Sequence, residues 1–357
     1  MKRRHLLATA GAAAALAACT DRDPASDQGG FRWKMVTSWQ KQFPGLAAAA
    51  EQLADRIGKA SDGRLQIEVF GGNELVAPFE VFDAVASGKA QMGHSAAYFW
   101  RNKSPAAPFF CAVPFGMNAQ EMNAWLHHGG GMALWRELYA RHNLIPFAAG
   151  NTGMQMAGWF NRELTSIADL DGLKMRIPGL GGEVMTRHGT HAVNLPGADI
   201  NNAMQSGAID ACEWLGPYND EAFGLFRVAK YCYYPGWQEP GPTLECMVNR
   251  DAYQSLPADL QAIIESCCGA VNEDVLSAYT AQNQRAMRVL IDEHQVEFRR
   301  IPDSILAALR KTSEALLIDM IGDDGLGRRV LESFKNFRDQ SRAWHAISEI
   351  PFYEARE

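Results

Sequence analysis

The chain has 357 residues, 47% of them hydrophobic and 10% aromatic, which is enough to bury one large core or two smaller ones and wrong for a disordered chain. Lys and Arg number 34 against 41 Asp and Glu, a formal net charge of -7. This mildly acidic balance, with no basic block, argues against nucleic acid as a partner.

The N-terminus reads Met1-Lys2-Arg3-Arg4, then an apolar run from Leu6 to Ala18, then Cys19. A basic start, a short apolar stretch and small residues before a cleavage point predict an export signal over residues 1–18. The run is shorter than the roughly 20 residues that a membrane-spanning helix needs. The paired arginines resemble a twin-arginine signal. Leu16-Ala17-Ala18-Cys19 resembles a lipobox, in which Cys19 is lipidated and becomes the new N-terminus. The alternative is a plain cleaved signal with Cys19 incidental. Residues 19–30 are polar, contain Gly and Pro, and read as a tether. The expected location is the periplasm.

Residues 31–38 alternate like a strand, and Pro44 opens an Ala-rich helix to about Lys59 with Leu46, Ala50, Leu53 and Ile57 on one face. Ser61-Asp62-Gly63 turns into a second alternating strand, residues 65–70. Strand, helix, strand predicts a βαβ unit and a partly parallel sheet. Residues 79–87 predict a short helix stopped by Gly88, and residues 120–141 a helix stretched or broken at Gly129-Gly130-Gly131. A second α/β region follows, with strands expected at Met154–Trp159 and within 173–177, a helix at 201–206, and residues 207–211 leading into Cys212-Glu213-Trp214. Residues 257–298 and 303–345 read as long helices that brace two lobes.

Chemistry-bearing motifs are sparse. Gly93-His94-Ser95-Ala96-Ala97 lacks the last Gly of a nucleophile elbow. Gly179-Leu180-Gly181-Gly182-Glu183-Val184 lacks the third Gly of a dinucleotide fingerprint and reads as a loop capping a helix. His127-His128 and His188-x-x-His191 have no companion ligands. The cysteines after Cys19 are Cys111, Cys212, Cys232, Cys246, Cys267 and Cys268. Their even number permits disulfides in an oxidising compartment, while apolar strings such as Phe109-Phe110-Cys111-Ala112-Val113 favour buried free thiols. What remains is a set of polar groups inside apolar strings. Arg176 has the planar fork for a carboxylate, although its alternation with Lys174 allows a surface position. Gln155, Glu213-Trp214 and the Gly/Pro-rich turn holding Glu239 complete the set.

At these residues the chain resembles the extracytoplasmic solute receptors of tripartite ATP-independent periplasmic (TRAP) transporters, and within them the subgroup that binds 2-oxo acids such as pyruvate. The matching stretches are residues 31–39, 63–67, 79–93, 172–179 (Gly-Leu-Lys-Met-Arg-Ile-Pro-Gly), 210–214 and 234–240. The resemblance implies an α/β fold of two lobes joined by a hinge, with a long helix spanning both. Lobe I would hold residues 31–151 plus about 246–300, lobe II residues 152–245, and residues from about 301 to 357 would be C-terminal helices. It implies that Arg176 pairs with the substrate carboxylate and that Tyr98 and Trp214 contact the substrate. Gln155 would touch both substrate and a metal ion. Glu213, the Trp214 carbonyl and Glu239 would hold the same ion, with Gln238 a rival for the position of Glu239. Implied partners are a small carboxylate, a small and a large membrane subunit, and in some members a second copy with exchanged C-terminal helices.

Charge supports an ion. Glu213, Glu239 and a substrate carboxylate against one guanidinium would leave a closed cleft unbalanced. Oxygen donors favour sodium or calcium. Charge neutrality leans to calcium and the resemblance to sodium. The alternatives are a receptor for a 2-hydroxy acid such as lactate, an exported metal-dependent enzyme acting on 2-oxo acids, and a sensor serving a signalling partner. The enzyme reading lacks a His near any proposed ligand.

Overall fold

Two sheets organise the computed structural model, which describes residues 30–356; the export signal, Cys19 and nearly all of the tether lie outside the described residues. In chain order the strands are β1 (Phe31–Thr37), β2 (Leu65–Phe70), β3 (Met92–Ser95), β4 (Leu144–Asn151), β5 (Gly158–Phe160), β6 (Lys174–Arg176), β7 (His191–Val193), β8 (Ala211–Cys212), β9 (Tyr231–Tyr234), β10 (Thr243–Asn249) and β11 (Glu297–Arg300). The helices are α1 (Leu46–Ala60), α2 (Val81–Ala86), α3 (Ala119–His128), α4 (Gly131–Ala140), α5 (Gly179–Thr186), α6 (Gly197–Gln205), α7 (Pro217–Phe223), α8 (Arg250–Gln254), α9 (Ala258–Asp292), α10 (Asp303–Ile321), α11 (Gly325–His345) and α12 (Glu349–Ala355).

The first sheet has the order β2-β1-β3-β10-β4 and the second β11-β9-β5-β8-β6-β7. Each contains one reversed strand. β10 runs antiparallel to β3 and β4, and β5 runs antiparallel to β8 and β9. These are the strands that follow the two short crossings between sheets, residues 152–157 and 235–242; a third, longer crossing runs through α8 and α9 to β11. Each short crossing sets its strand against the prevailing direction of the sheet it enters, whereas β11, which arrives through α9, runs parallel to β9. The short crossings pack on each other: Thr152 N–H donates to Pro242 O at 3.1 Å, and Ala157 N–H to Tyr233 O at 2.8 Å. A Cβ at Gly236 would collide with the Gln155 carbonyl, so only glycine lets the two backbones approach this closely.

The early elements follow their apolar pattern. Leu46, Ala50, Leu53 and Ile57 are all buried on one face of α1, and the parallel β1–β2 pair runs from Phe31 opposite Leu65 to Val36 opposite Phe70. The triple glycine separates α3 from α4: Gly130 takes φ 86°, and a side chain at Gly131 would strike Trp125. α9 is 35 residues long, roughly 50 Å at 1.5 Å per residue. It packs on β4 and α1 of the first lobe and on α7 of the second. α10 lies against α5, and α11 against α3 and α4, so the C-terminal helices brace both lobes.

Three expectations need correction. The helix read over 257–298 ends at Asp292, and residues 297–300 form β11, paired with β9 at the edge of the second sheet. Residues up to 300 therefore do not all return to the first sheet. The strand read over 154–159 is β5, residues 158–160, and residues 154–157 belong to a crossing. The helix read over 201–206 begins at Gly197. All six described cysteines are buried and free.

Candidate functional site

Where the sheets face each other, a cavity of about 210 Å³ opens between the lobes, and Tyr98, Gln155, Arg176, Trp214 and Glu239 all line it. Glu213 does not; it lies just behind the wall, 1% exposed and held against Arg176.

Arg176 ends β6, flanked by β7 and β8. The strand's last two residues are buried while Lys174 is exposed, so the surface position that alternation allowed is not taken. The guanidinium is fixed from three sides. Its Nη1 donates to the Glu213 carbonyl at 2.5 Å and to Glu213 Oε2 at 2.9 Å, and its Nε donates to Leu195 O at 3.3 Å. The group also stacks 5.1 Å from the Trp214 ring. Nη2 makes no hydrogen bond to the described residues and is left for an anion in the cavity.

Trp214 in turn stacks on Phe223 at 5.4 Å and meets the edge of Phe43, from the other lobe, at 5.6 Å. Gly197 opens the space for it, since a Cβ there would sit 2.6 Å from the indole ring. The segment is pinned along its backbone: Glu213 N–H donates to Arg176 O at 2.8 Å, and Leu215 O accepts from Met156 N–H at 2.8 Å.

Several buried oxygens in this region have no partner, among them Gln155 Oε1 and Glu213 Oε1. An unpaired buried acceptor is costly, so such atoms point to an absent cation or donor. The Gln155 amide nitrogen donates to Thr152 Oγ1 at 3.1 Å, which aims its oxygen elsewhere. Gln238 and Glu239 part company: Gln238 Nε2 donates to Met156 O at 2.8 Å, while Glu239 lines the cavity. Among the described residues no three His, Cys, Asp or Glu side chains converge on one point. Two carboxylates with amide and carbonyl oxygens suit a hard cation and not zinc.

Electrostatics agree. Burial, then the neighbouring Glu239, pushes the Glu213 carboxyl well above its ordinary range, against the pull of Arg176. Burial raises Glu239 to about 7, opposed by Arg176 and the Gln155 amide. Tyr98, on the turn Ala97–Trp100 after β3, is held protonated by burial and by the same two carboxylates. Its ring faces Gly179 at the start of α5.

Other residues of the cavity wall had no expected role, although Ser38 and Trp39 end the matching stretch 31–39. Trp39 and Ser38 follow β1, and both line the cavity. The Trp39 indole N–H donates to His94 Nδ1 at 2.8 Å, and His94 Nε2 meets Ala149 O at 3.0 Å. With both ring nitrogens engaged, His94 is no base for Ser95, whose hydroxyl pairs with Ser38 at 2.6 Å. Residues 179–184 are not a loop before a helix but the body of α5, capped by Pro178, and Gly181 and Gly182 let the helix approach Ile177 and Gln238 closely.

Residues 35–323 match the bacterial extracellular solute-binding proteins, family 7 (DctP). A periplasmic protein of a Nostoc species described as monocarboxylate 2-oxoacid-binding is 43% identical over 99% of this chain and 98% of its own. A TRAP periplasmic solute-binding protein from Pseudoalteromonas atlantica, solved with sodium and pyruvate, is 39% identical, with TM-score 0.89 over 92% of this chain and 100% of its own. One from Bordetella bronchiseptica, a dimer with calcium and picolinate in one site, is 36% identical, with TM-score 0.89 over 92% and 97%. Among the described residues no helix is long and apolar enough to cross a membrane. The family consists of extracytoplasmic binding proteins and not enzymes, and this chain belongs to it: a DctP-type solute-binding protein of family 7.

Proposed function

We propose that this chain is the solute receptor of a TRAP transporter, which captures a 2-oxo monocarboxylate such as pyruvate together with sodium or calcium and hands it to a small and a large membrane subunit. The observation that carries the reading is the free edge of Arg176 beside the unpartnered oxygens Gln155 Oε1 and Glu213 Oε1. Arg176 would take the substrate carboxylate through Nη2, the nitrogen that Leu195 and Glu213 leave free. Gln155 Oε1, Glu213 Oε1, Glu239 and the Trp214 carbonyl would hold the ion. The ion supplies a positive charge that both a carboxylate and a neighbouring 2-oxo oxygen can chelate. Tyr98 and Trp214 would cover the substrate's short tail. A 2-hydroxy acid such as lactate keeps the second donor, whereas acetate lacks it and succinate brings a second charge with no second cation.

Calorimetry with pyruvate, lactate, acetate and succinate tests this, each with and without sodium and calcium. Pyruvate should bind tightest and depend on the ion. Succinate binding more tightly than pyruvate would remove the 2-oxo acid assignment.

The reading extends to assembly and anchoring. At the C-terminus Trp344, Ile347, Ile350, Phe352 and Tyr353 are exposed, and no residue of α12 is buried. An apolar ridge of this kind is covered by a second copy, as the dimeric Bordetella relative supports. Removal of residues 346–357 should then yield a monomer in sedimentation. Lipid attachment at Cys19 would tether the receptor to the membrane, and mass spectrometry of the mature N-terminus checks it.

A further inference from the structure

Asp220 lies one turn into α7 and is 1% exposed. Its Oδ2 accepts the Trp159 indole N–H at 2.8 Å, and its Oδ1 accepts the Leu215 backbone N–H at 3.3 Å. No cation pairs with it among the described residues. Both donors are fixed: an indole N–H and a backbone N–H have no acceptor form. Only a carboxylate at this position satisfies both, because an amide would set its NH₂ against one of them.

Leu215 directly follows Glu213 and Trp214. The segment has four backbone anchors: Glu213 N–H on Arg176 O, the Glu213 carbonyl under Arg176 Nη1, Leu215 N–H on Asp220, and Leu215 O under Met156 N–H. The last two hold Leu215 at both ends, and its N–H shares one planar peptide unit with the Trp214 carbonyl. That carbonyl accepts no backbone hydrogen bond among the described residues. Asp220 also ties the segment to Trp159 in β5, the strand entered from the crossing that carries Gln155.

We infer that Asp220 is the positioning residue of the ion site: by holding the Leu215 amide it sets the direction of the Trp214 carbonyl, which shares that peptide plane. The inference rests on the proposed ion-binding role of the Trp214 carbonyl. Groups that orient metal ligands typically change metal affinity by about 10- to 100-fold when removed.

The test isolates the acceptor. In Trp159→Phe the indole donor is gone, and position 220 faces the Leu215 amide alone. Trp159→Phe/Asp220→Asn then keeps an oxygen for that amide, while the near-isosteric Trp159→Phe/Asp220→Leu keeps none. Ion affinity is measured by calorimetry at saturating pyruvate, using calcium and sodium separately, on proteins shown to melt cooperatively. The Leu double variant should bind the ion about 10- to 100-fold more weakly than Trp159→Phe, and the Asn double variant should match Trp159→Phe. Rescue by Asn is what a merely space-filling role would not give. Equal ion affinity for Asn and Leu at position 220 overturns the proposal. If a double variant does not fold, amide exchange on the wild-type protein decides: Leu215 N–H must be protected as slowly as the core of α7 before ligand is added, and rapid exchange there overturns it. Wild-type pyruvate affinity that ignores removal of both ions sinks the ion reading instead, and the Asn-to-Leu comparison in pyruvate affinity alone still judges Asp220.

Discussion

On the wall built by the first lobe, the cavity meets Ser38, Trp39, Phe43, Tyr98 and Phe99, and no charged side chain. On the wall of the second lobe it meets Arg176 on its bed of Trp214, with Glu213 behind. Gln155 and Glu239 come from the two short crossings that join the lobes. All of the ionic chemistry thus sits on one wall and the hinge. On the proposed function, the second lobe and the hinge would catch the anion and the cation, and the first lobe would serve as a mostly apolar cover. Excluding water lowers the effective dielectric and strengthens every charge interaction already made. Contacts between the lobes, such as Phe43 on Trp214, would shift a balance between open and closed states only if opening breaks them.

The asymmetry is broken or sharpened most strongly at Arg176. Arg176→Ala should cost roughly 3–5 kcal/mol of pyruvate binding, because it leaves the substrate carboxylate and Glu213 without their cation. That is about a 10²- to 10³-fold or greater rise in Kd. Tyr98→Phe, on the opposite wall, keeps the ring that would cover the substrate's tail and should cost no more than about 0.5–1.5 kcal/mol, the worth of the single neutral hydrogen bond a hydroxyl could add. Calorimetry on the two variants compares the walls directly. Equal losses would mean that the first lobe is more than a cover, and less than a tenfold loss in Arg176→Ala would remove it as the carboxylate clamp.

The next largest effect concerns the ion. Glu213→Gln and Glu239→Gln should each weaken ion-dependent binding by about 10- to 100-fold while leaving a folded protein. The two positions differ in what else they do, since only Glu213 also braces Arg176. Glu213→Gln should therefore weaken pyruvate binding even at saturating ion, and Glu239→Gln should not. Dialysis against chelator and sodium-free buffer provides the reference state.

Acidity gives a third, smaller handle. Burial holds Glu213 above its ordinary range and Glu239 at about 7. An ion needs both deprotonated, so its binding displaces protons and its affinity falls as pH drops through about 7. Calorimetry in buffers of different ionisation enthalpy should detect proton release on ion binding. No release at any pH near 7 would show that the carboxylates are already charged without the ion.

How much of this was legible in the sequence depended on how local each signal was. The alternation of β1 and β2, the apolar face of α1 and the glycine break between α3 and α4 are short-range patterns, and they were readable. The end of α9 was not: Val296 and Phe298 continue its apolar pattern, but Gln295 takes φ 55° and turns the chain into β11. The crossing at 154–157 resembled a strand because Met156 and Ala157 do make sheet-like bonds, to Leu215 and Tyr233. Arg176, Glu213 and Glu239 stood out as charges in apolar or Gly/Pro-rich strings, and the resemblance gave them roles. Phe43 and Asp220 carry no such mark, and Trp39, though it ends a matching stretch, had no role. Phe43 reaches Trp214 across 171 positions of sequence, and nothing local to either announces that contact.

The smallest predicted effect compares the buried carboxylate of each lobe. Glu245 in β10 mirrors Asp220: it accepts the Trp100 indole N–H, and its other oxygen accepts the Tyr139 hydroxyl at 2.7 Å. One partner differs in kind, since a hydroxyl can also accept whereas the Leu215 amide cannot. Glu245→Gln can thus donate to Tyr139 and still accept from Trp100, and it should fold and bind pyruvate normally. Burial raises Glu245 from the ordinary 4.5 to about 7, with the indole and the phenol pulling it down. Its folded pKa lies above its unfolded one. The stability it contributes is therefore fully present below the unfolded value and is lost as pH rises through about 7. Other buried acids, Asp220 and Glu239 among them, add the same slope to both proteins, so the variant isolates the share of Glu245. Thermal melts between about pH 5 and pH 8 should show wild type losing more stability with rising pH than Glu245→Gln does. Parallel curves would show that Glu245 is charged throughout, and the resemblance between the two carboxylates would then stop at their indole partners.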